Sequence, residues 1–196
     1  PVVISTQHHS SNFHGCLGMW VDRLTASLTD RIIAVSGAAK RFCVEEEHIP
    51  AEKISVIYNG IESDVTERKV DLEDFRKQLS LGDGPIIGSV GRFVKIKGYK
   101  YLLYAVPEVV SRYPNAKFII LGYGPLKHDL IKLSDRLRIS DKIIFMEPNL
   151  LDISKLLSIL DVYVLPSISE GLSITLLEAM AMSRPIVATD AGGNSE

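Results

Sequence analysis

Residues 162–193 read VYVLPSISEGLSITLLEAMAMSRPIVATDAGG. Four apolar residues, Val162–Leu165, lead into a polar loop. A run of helix formers follows from Ile174 to Met182, and a second apolar run from Pro185 to Thr189. Short continuous apolar runs suit strands covered on both faces, and a strand, a helix and a second strand in that order make one unit of a parallel sheet. Ser173 stands where an N-cap would accept the first free N–H groups of the helix. Glu178 is the only charge in that helix, and Glu170 waits in the loop ahead of it. Burying an ionised carboxylate without a partner costs several kcal/mol, roughly, so an acid in so apolar a helix asks for a reason.

The same alternation runs outward through most of the chain. It predicts strands at Val2–Thr6, Arg31–Val35, Ile54–Ile57, Ile86–Val90, Lys117–Leu121 and Lys142–Phe145. It predicts helices at Cys16–Leu28, Ala38–Glu47, Leu72–Leu79, Tyr99–Arg112, Leu126–Arg138 and Ile153–Leu160. Between Asn59 and Asp71 the text turns polar and charged, NGIESDVTERKVD, as at a lobe boundary. The expected fold is α/β with two parallel-sheet lobes, residues 1–65 belonging to the first and 66–196 to the second. The chain opens at Pro1 in an apolar run and closes just past Gly192-Gly193. Both lobes are therefore expected to be incomplete, as in a piece of a longer protein.

Composition narrows the function classes. With 46% hydrophobic residues, 23% charged and a net charge of −2 over 196 residues, the chain has globular composition and no broad basic field for nucleic acid. No apolar run reaches the ~20 residues of a membrane span. Two cysteines, Cys16 and Cys43, make neither a disulfide framework nor a metal-ligand spacing, and read as reduced and buried in a cytoplasmic protein.

In an open parallel sheet, ligands bind where strands end and helices begin. The first strand of the second lobe runs into Gly91-Arg92-Phe-Val-Lys95-Ile-Lys97-Gly98 and then a helix. Arg92 offers a planar fork and Lys97 a point charge beside a helix N-terminus, a set suited to phosphate oxygens. Alone, the loop reads equally well as a solvated turn with two surface cations. Gly122-Tyr123-Gly124-Pro125 resembles part of a dinucleotide fingerprint, but Lys127 holds the place of its third glycine, which argues against a nicotinamide enzyme. Glu178 suits paired hydroxyls such as those of a ribose, and Glu170 the hydroxyls of whatever the phosphates carry. In a continuous helix the two acids would stand about 12 Å apart, the reach of an extended ligand.

Seven stretches in order carry a resemblance to a known family: DRIIAVS, KISVIYNGI, SVGRFVKIKG, FIILGYGP, LDVYVLPS, SEGLSITLLEAMA and RPIVATDAGGNSE. The chain resembles the retaining nucleotide-sugar glycosyltransferases of the two-lobed GT-B fold, family 4. The resemblance implies transfer of a sugar from a UDP- or GDP-linked donor to a hydroxyl acceptor, with anomeric configuration kept. It implies that Arg92 and Lys97 hold the diphosphate, that Glu170 meets the donor sugar and Glu178 the ribose, and that Gly91 and the Gly171-Leu172-Ser173-Ile174 backbone line the pocket. A histidine facing the cleft from the first lobe is implied as well; His8 fits a T-x-H pattern, with His9 beside it. No cofactor and no obligatory metal are expected. The implied acceptors are glycans or glycolipids of the cell envelope, which would bring the protein to the inner face of a membrane as a peripheral enzyme. The alternative is a lobe that binds nucleotide without turnover, or an interaction module that binds a partner. Glu147, Ser173 and Ser183 depart from the family's usual glycines, and Glu147 falls where base contacts would change.

Overall fold

The computed structural model describes residues 2–8, 21, 23–62, 72–148 and 153–196. Packing divides the chain into two compact units. One gathers Pro1–Gly60, Ser169–Ile174 and Asp190–Glu196; the other gathers Ile61–Ile168 and Thr175–Thr189. The boundary expected near residue 65 falls within 63–71, outside the described residues.

The first unit holds a parallel sheet of β1 (Ile4–Gln7), β2 (Arg31–Ala34) and β3 (Ile54–Val56), in that order. The strand expected at Val2–Thr6 starts later, because the Val3 N–H donates to the Asp30 carboxylate at 2.8 Å and pairing begins at Ile4 opposite Arg31. Helix α1 (Gly37–Glu45) follows β2. Ser36 caps it, its Oγ accepting from the Ala39 N–H at 3.0 Å, so the helix begins one residue earlier than expected. Its buried face sets Ala39 and Cys43 against Ile32, Ala34, Ile49 and Ile54. Residues 23–27 are helical; 9–20 and 22, which include Cys16 and His9, lie outside the described residues.

The second unit holds five parallel strands: β4 (Ile86–Val90), β5 (Lys117–Leu121), β6 (Ile143–Met146), β7 (Val162–Leu165) and β8 (Ile186–Ala188). Their order is β6-β5-β4-β7-β8. Every residue of β4 is buried, Gly88 and Ser89 included, as suits the central strand of the sheet. Helices α2 (Leu72–Gln78), α5 (Ile153–Ile159) and α6 (Ile174–Ala181) follow the predicted spans closely, and Leu156, Leu157, Leu176 and Ala179 bury one face of the sheet. Helices α3 (Tyr99–Arg112) and α4 (Lys127–Arg136) cover the other with Leu103, Val106, Leu130 and Leu133. α4 ends at Arg136 rather than Arg138, because Arg138 takes a left-handed φ of 57° and a 3₁₀ turn, Ser140–Lys142, leads into β6. The strand order reverses between β4 and β7, and their carboxyl ends open the crevice where such sheets bind ligands.

Candidate functional site

The loop leaving β4 is short and tightly held. Val94, Lys95, Ile96 and Lys97 form a 3₁₀ turn that closes on Gly98. Gly98 has φ +65°, and a β-carbon there would stand 1.9 Å from the Pro166 carbonyl oxygen, so only glycine fits. The turn is tied to the loop after β7 by the Ile168 N–H, which donates to the Ile96 carbonyl at 2.7 Å. Gly98 also opens α3, whose first turn has no side-chain cap. The N–H groups of that turn and the helix dipole favour an anion. Arg92 is exposed and Lys97 half-buried on the same loop. A β-carbon on Gly91 would stand 2.9 Å from the Tyr99 hydroxyl, with the Cδ and Cε of Lys97 in ordinary contact at 3.8 and 3.9 Å, so the glycine leaves room for the tyrosine. Two cations, a glycine and an uncapped helix N-terminus are thus assembled within one unit. Glu178 belongs to the same unit, half-buried on α6, where Tyr163 Oη and Thr175 Oγ1 pair at 2.7 Å and tie α6 to β7.

Glu170, Gly171, Leu172, Ser173 and Ile174 pack in the first unit. Glu170, Gly171 and Ser173 are buried, while Ile174 is exposed. A β-carbon on Gly171 would meet the His8 carbonyl oxygen at 2.2 Å, so this backbone runs directly against the end of β1. His8 itself is exposed. The Leu172 carbonyl accepts from Asn59 Nδ2 at 2.9 Å, and the Gly171 carbonyl from the Gly193 N–H at 2.9 Å. The structure therefore brings His8 and the Gly171 stretch together, and separately Gly91, Arg92 and Lys97.

Glu196 was not singled out by the sequence. Its carboxylate accepts from the Gly37 and Ala38 N–H groups at 2.7 Å each and crowns the N-terminus of α1, with Arg41 3.8 Å away. Burial works against its charge, but the two N–H groups, the Tyr58 hydroxyl and Arg41 outweigh burial and hold its carboxyl below the ordinary glutamate range. No sequence signal points to a cap 158 residues away from its helix.

Lys127 and Glu147 were each read in the sequence, but their meeting was not. Lys127, at the start of α4, meets Glu147, just past β6, with Nζ and Oε1 2.6 Å apart. Their loops are laced to the β4 exit: the Phe93 N–H donates to the Tyr123 carbonyl at 2.7 Å, and the Gly122 N–H to the Met146 carbonyl at 2.8 Å. Asn149 lies outside the described residues. A separate cavity of about 520 Å³ opens among Lys95, Tyr99, Tyr104, Leu126, Asp129 and Arg136; Arg92, Lys97 and Glu178 do not line it. Among the described residues no three His, Cys, Asp or Glu side chains gather as a metal site.

The profile for glycosyl transferases group 1 matches residues 71–196, and that for Glycosyltransferase Family 4 matches residues 1–65. An uncharacterized glycosyltransferase of Methanocaldococcus jannaschii is 32% identical over 202 residues, a match covering 96% of this chain and 52% of the relative. The alpha-D-kanosaminyltransferase of Streptomyces kanamyceticus is 30% identical over 185 residues, covering 90% of this chain and 47% of that protein. The chain spans about half the length of the curated relatives it matches. Among solved structures, Anabaena HepE in complex with UDP-glucose superposes with a TM-score of 0.88 at 23% identity, over 99% of this chain and 55% of that one. That likeness shows the fold: α/β, with the parallel sheets of GT-B glycosyltransferases.

Proposed function

The chain belongs to the glycosyl transferases of group 1, and from that premise we propose that the protein moves a sugar from a nucleoside-diphosphate sugar to a hydroxyl acceptor, retaining the configuration at the anomeric carbon. Residues 66–196 supply the donor lobe in this reading, and residues 1–65 part of the acceptor lobe. The observation that carries it is the loop after β4, with Arg92 and Lys97 on one short turn at the uncapped N-terminus of a 14-residue helix. Anabaena HepE, of like fold, binds UDP and UDP-glucose, which supports a nucleoside-diphosphate ligand for this fold.

In the transfer, the bond between the sugar's anomeric carbon and the diphosphate oxygen breaks, and a bond from that carbon to the acceptor oxygen forms. The acceptor's proton passes to the departing phosphate oxygen. Arg92 and Lys97 stabilise the negative charge that grows on that diphosphate, the kind of fixed electrostatic aid that matters most in a water-poor site. Glu178 accepts from the ribose hydroxyls, Glu170 from the donor sugar, and the backbone of Gly171–Ile174 lines the pocket. His8, on the first unit, serves the acceptor side. Neither metal nor cofactor has a step in this scheme.

An E. coli relative, 29% identical, is a galactosyltransferase acting on an undecaprenol-linked sugar diphosphate. That supports a cell-envelope glycan or glycolipid acceptor here, with peripheral association at the cytoplasmic face of the membrane. No helix among the described residues is long and apolar enough to cross a bilayer.

Calorimetric titration of UDP and GDP tests the reading. At least one nucleotide is expected to bind, and Arg92→Ala or Lys97→Ala each to weaken it roughly tenfold or more, the scale of a lost charge-assisted hydrogen bond. No binding by either nucleotide, or binding indifferent to both substitutions, refutes the donor site.

A further inference from the structure

Three side chains on the rim beside the diphosphate loop have no part in the scheme above: Tyr123, Lys127 and Glu147. All lie in the second unit. The hydrogen bonds from Phe93 to Tyr123 and from Gly122 to Met146 fix the exits of β4, β5 and β6 side by side. Neighbouring strands lie about 4.8 Å apart, so the β6 exit stands about 10 Å along the edge from the β4 exit. A ribose and base extending from phosphates held at the β4 loop span a comparable length.

We propose that Lys127 and Glu147 read the base of the donor nucleotide and select guanine over uracil; the proposal rests on the donor-site reading above. The pair is half-exposed on the rim, its lysine fixed by the first turn of α4 and its glutamate by the end of β6. Tyr123, an exposed aromatic in the loop between them and the β4 exit, offers a flat face on which a base stacks.

The discrimination follows from donor and acceptor order. With Nζ 2.6 Å from Oε1, the pair sets an ammonium donor beside a carboxylate with two acceptor oxygens. The pairing edge of guanine presents the complement: the O6 acceptor, then the N1–H and N2–H donors. A carboxylate takes two parallel N–H groups in the bidentate way it takes an arginine fork. The uracil edge presents acceptor, donor, acceptor. Its O4 suits Lys127 and its N3–H suits one carboxylate oxygen, but its O2 then faces the second carboxylate oxygen, acceptor against acceptor. A mismatch of that kind rejects a ligand as effectively as a good contact selects one. Bidentate base contacts discriminate by roughly tenfold to a hundredfold, and the partial exposure of this pair places it near the lower figure. The UDP-bound HepE structures share the fold at 22–23% identity, which carries no information about the base this rim accepts.

The test is a calorimetric comparison of GDP and UDP on the protein and on Glu147→Gln, with Arg92→Ala as the control for the diphosphate loop and circular dichroism as the check on folding. GDP is expected to bind about tenfold more tightly than UDP. Glu147→Gln replaces one acceptor with an N–H₂ donor that suits uracil O2, so the ratio should fall to near one or invert. UDP binding as tightly as GDP, or a ratio unmoved by Glu147→Gln, overturns the base assignment and leaves the donor site standing. Binding of neither nucleotide removes the donor site and the base assignment together.

Discussion

Gly98→Ala should destabilise the protein far more than Gly82→Ala, although both glycines have nearly the same left-handed backbone, φ +65° and +67°. Forcing an alanine into that region costs about 1–2 kcal/mol at either position. At Gly82 nothing lies within 4 Å of the added β-carbon, and the cost ends there. At Gly98 the β-carbon lands 1.9 Å from the Pro166 oxygen, and the obstacle is backbone that must move. Moving it strains the packing, which overpacked interiors resist by about 1–3 kcal/mol. It also loosens the hydrogen bond between Ile168 and Ile96, worth about 1 kcal/mol. Gly98→Ala is thus expected to cost about 3–6 kcal/mol in all. Urea unfolding followed by circular dichroism compares the two variants directly, and a nucleotide titration of Gly98→Ala should show weakened binding, since Lys97 rides on the displaced turn. If the two variants unfold within about 1 kcal/mol of each other, the close approach is not what holds this loop.

Two smaller perturbations probe other parts of the molecule. Ser89 Oγ is buried in β4 with no hydrogen-bond partner among the described residues, so Ser89→Ala should cost nothing and gain up to about 1 kcal/mol in urea unfolding; a loss would refute the expectation. Glu196 has a carboxyl pKa lowered by folding, so its contribution is present above the ordinary glutamate pKa of about 4.3 and is lost as pH falls through the folded value. Glu196→Gln should therefore be less stable than the parent at pH 7, by about 0.5 kcal/mol, with the gap closing toward pH 3 in matched unfolding curves.

The elements were legible in the sequence where short, mostly apolar runs alternate with helical patterns, most plainly FIIL in β5 and VYVL in β7. β4, β5 and β7 fall on their predicted residues, and α3 does too, Pro107 within it notwithstanding. Edges were less legible, because their limits depend on partners. β1 starts where Arg31 pairs with Ile4, and β8 shrinks to Ile186–Ala188 beside β7. Arg92 and Lys97 stood out in the sequence because they lie within six residues of each other, flanked by Gly91 and Gly98. The pairing of Lys127 with Glu147 and the seat of Glu196 on α1 join residues 20 and 158 apart, and no local pattern encodes a meeting at such range. Glu170 and Glu178, close in sequence, pack in different units for the same reason: tertiary contacts assign them.

Neither compact unit is a continuous piece of chain, since Ser169–Ile174 and Asp190–Glu196 pack with the body that holds β1, β2 and β3. During synthesis β1, β2 and β3 leave the ribosome well before Ser169–Ile174 and Asp190–Glu196, the segments that pack with them, and four strands of the second sheet, β4 to β7, are made before the first of those segments. Neither body can be obtained as one uninterrupted stretch of the chain, and any early collapse of the nascent three-stranded sheet must leave open the places its later segments will take.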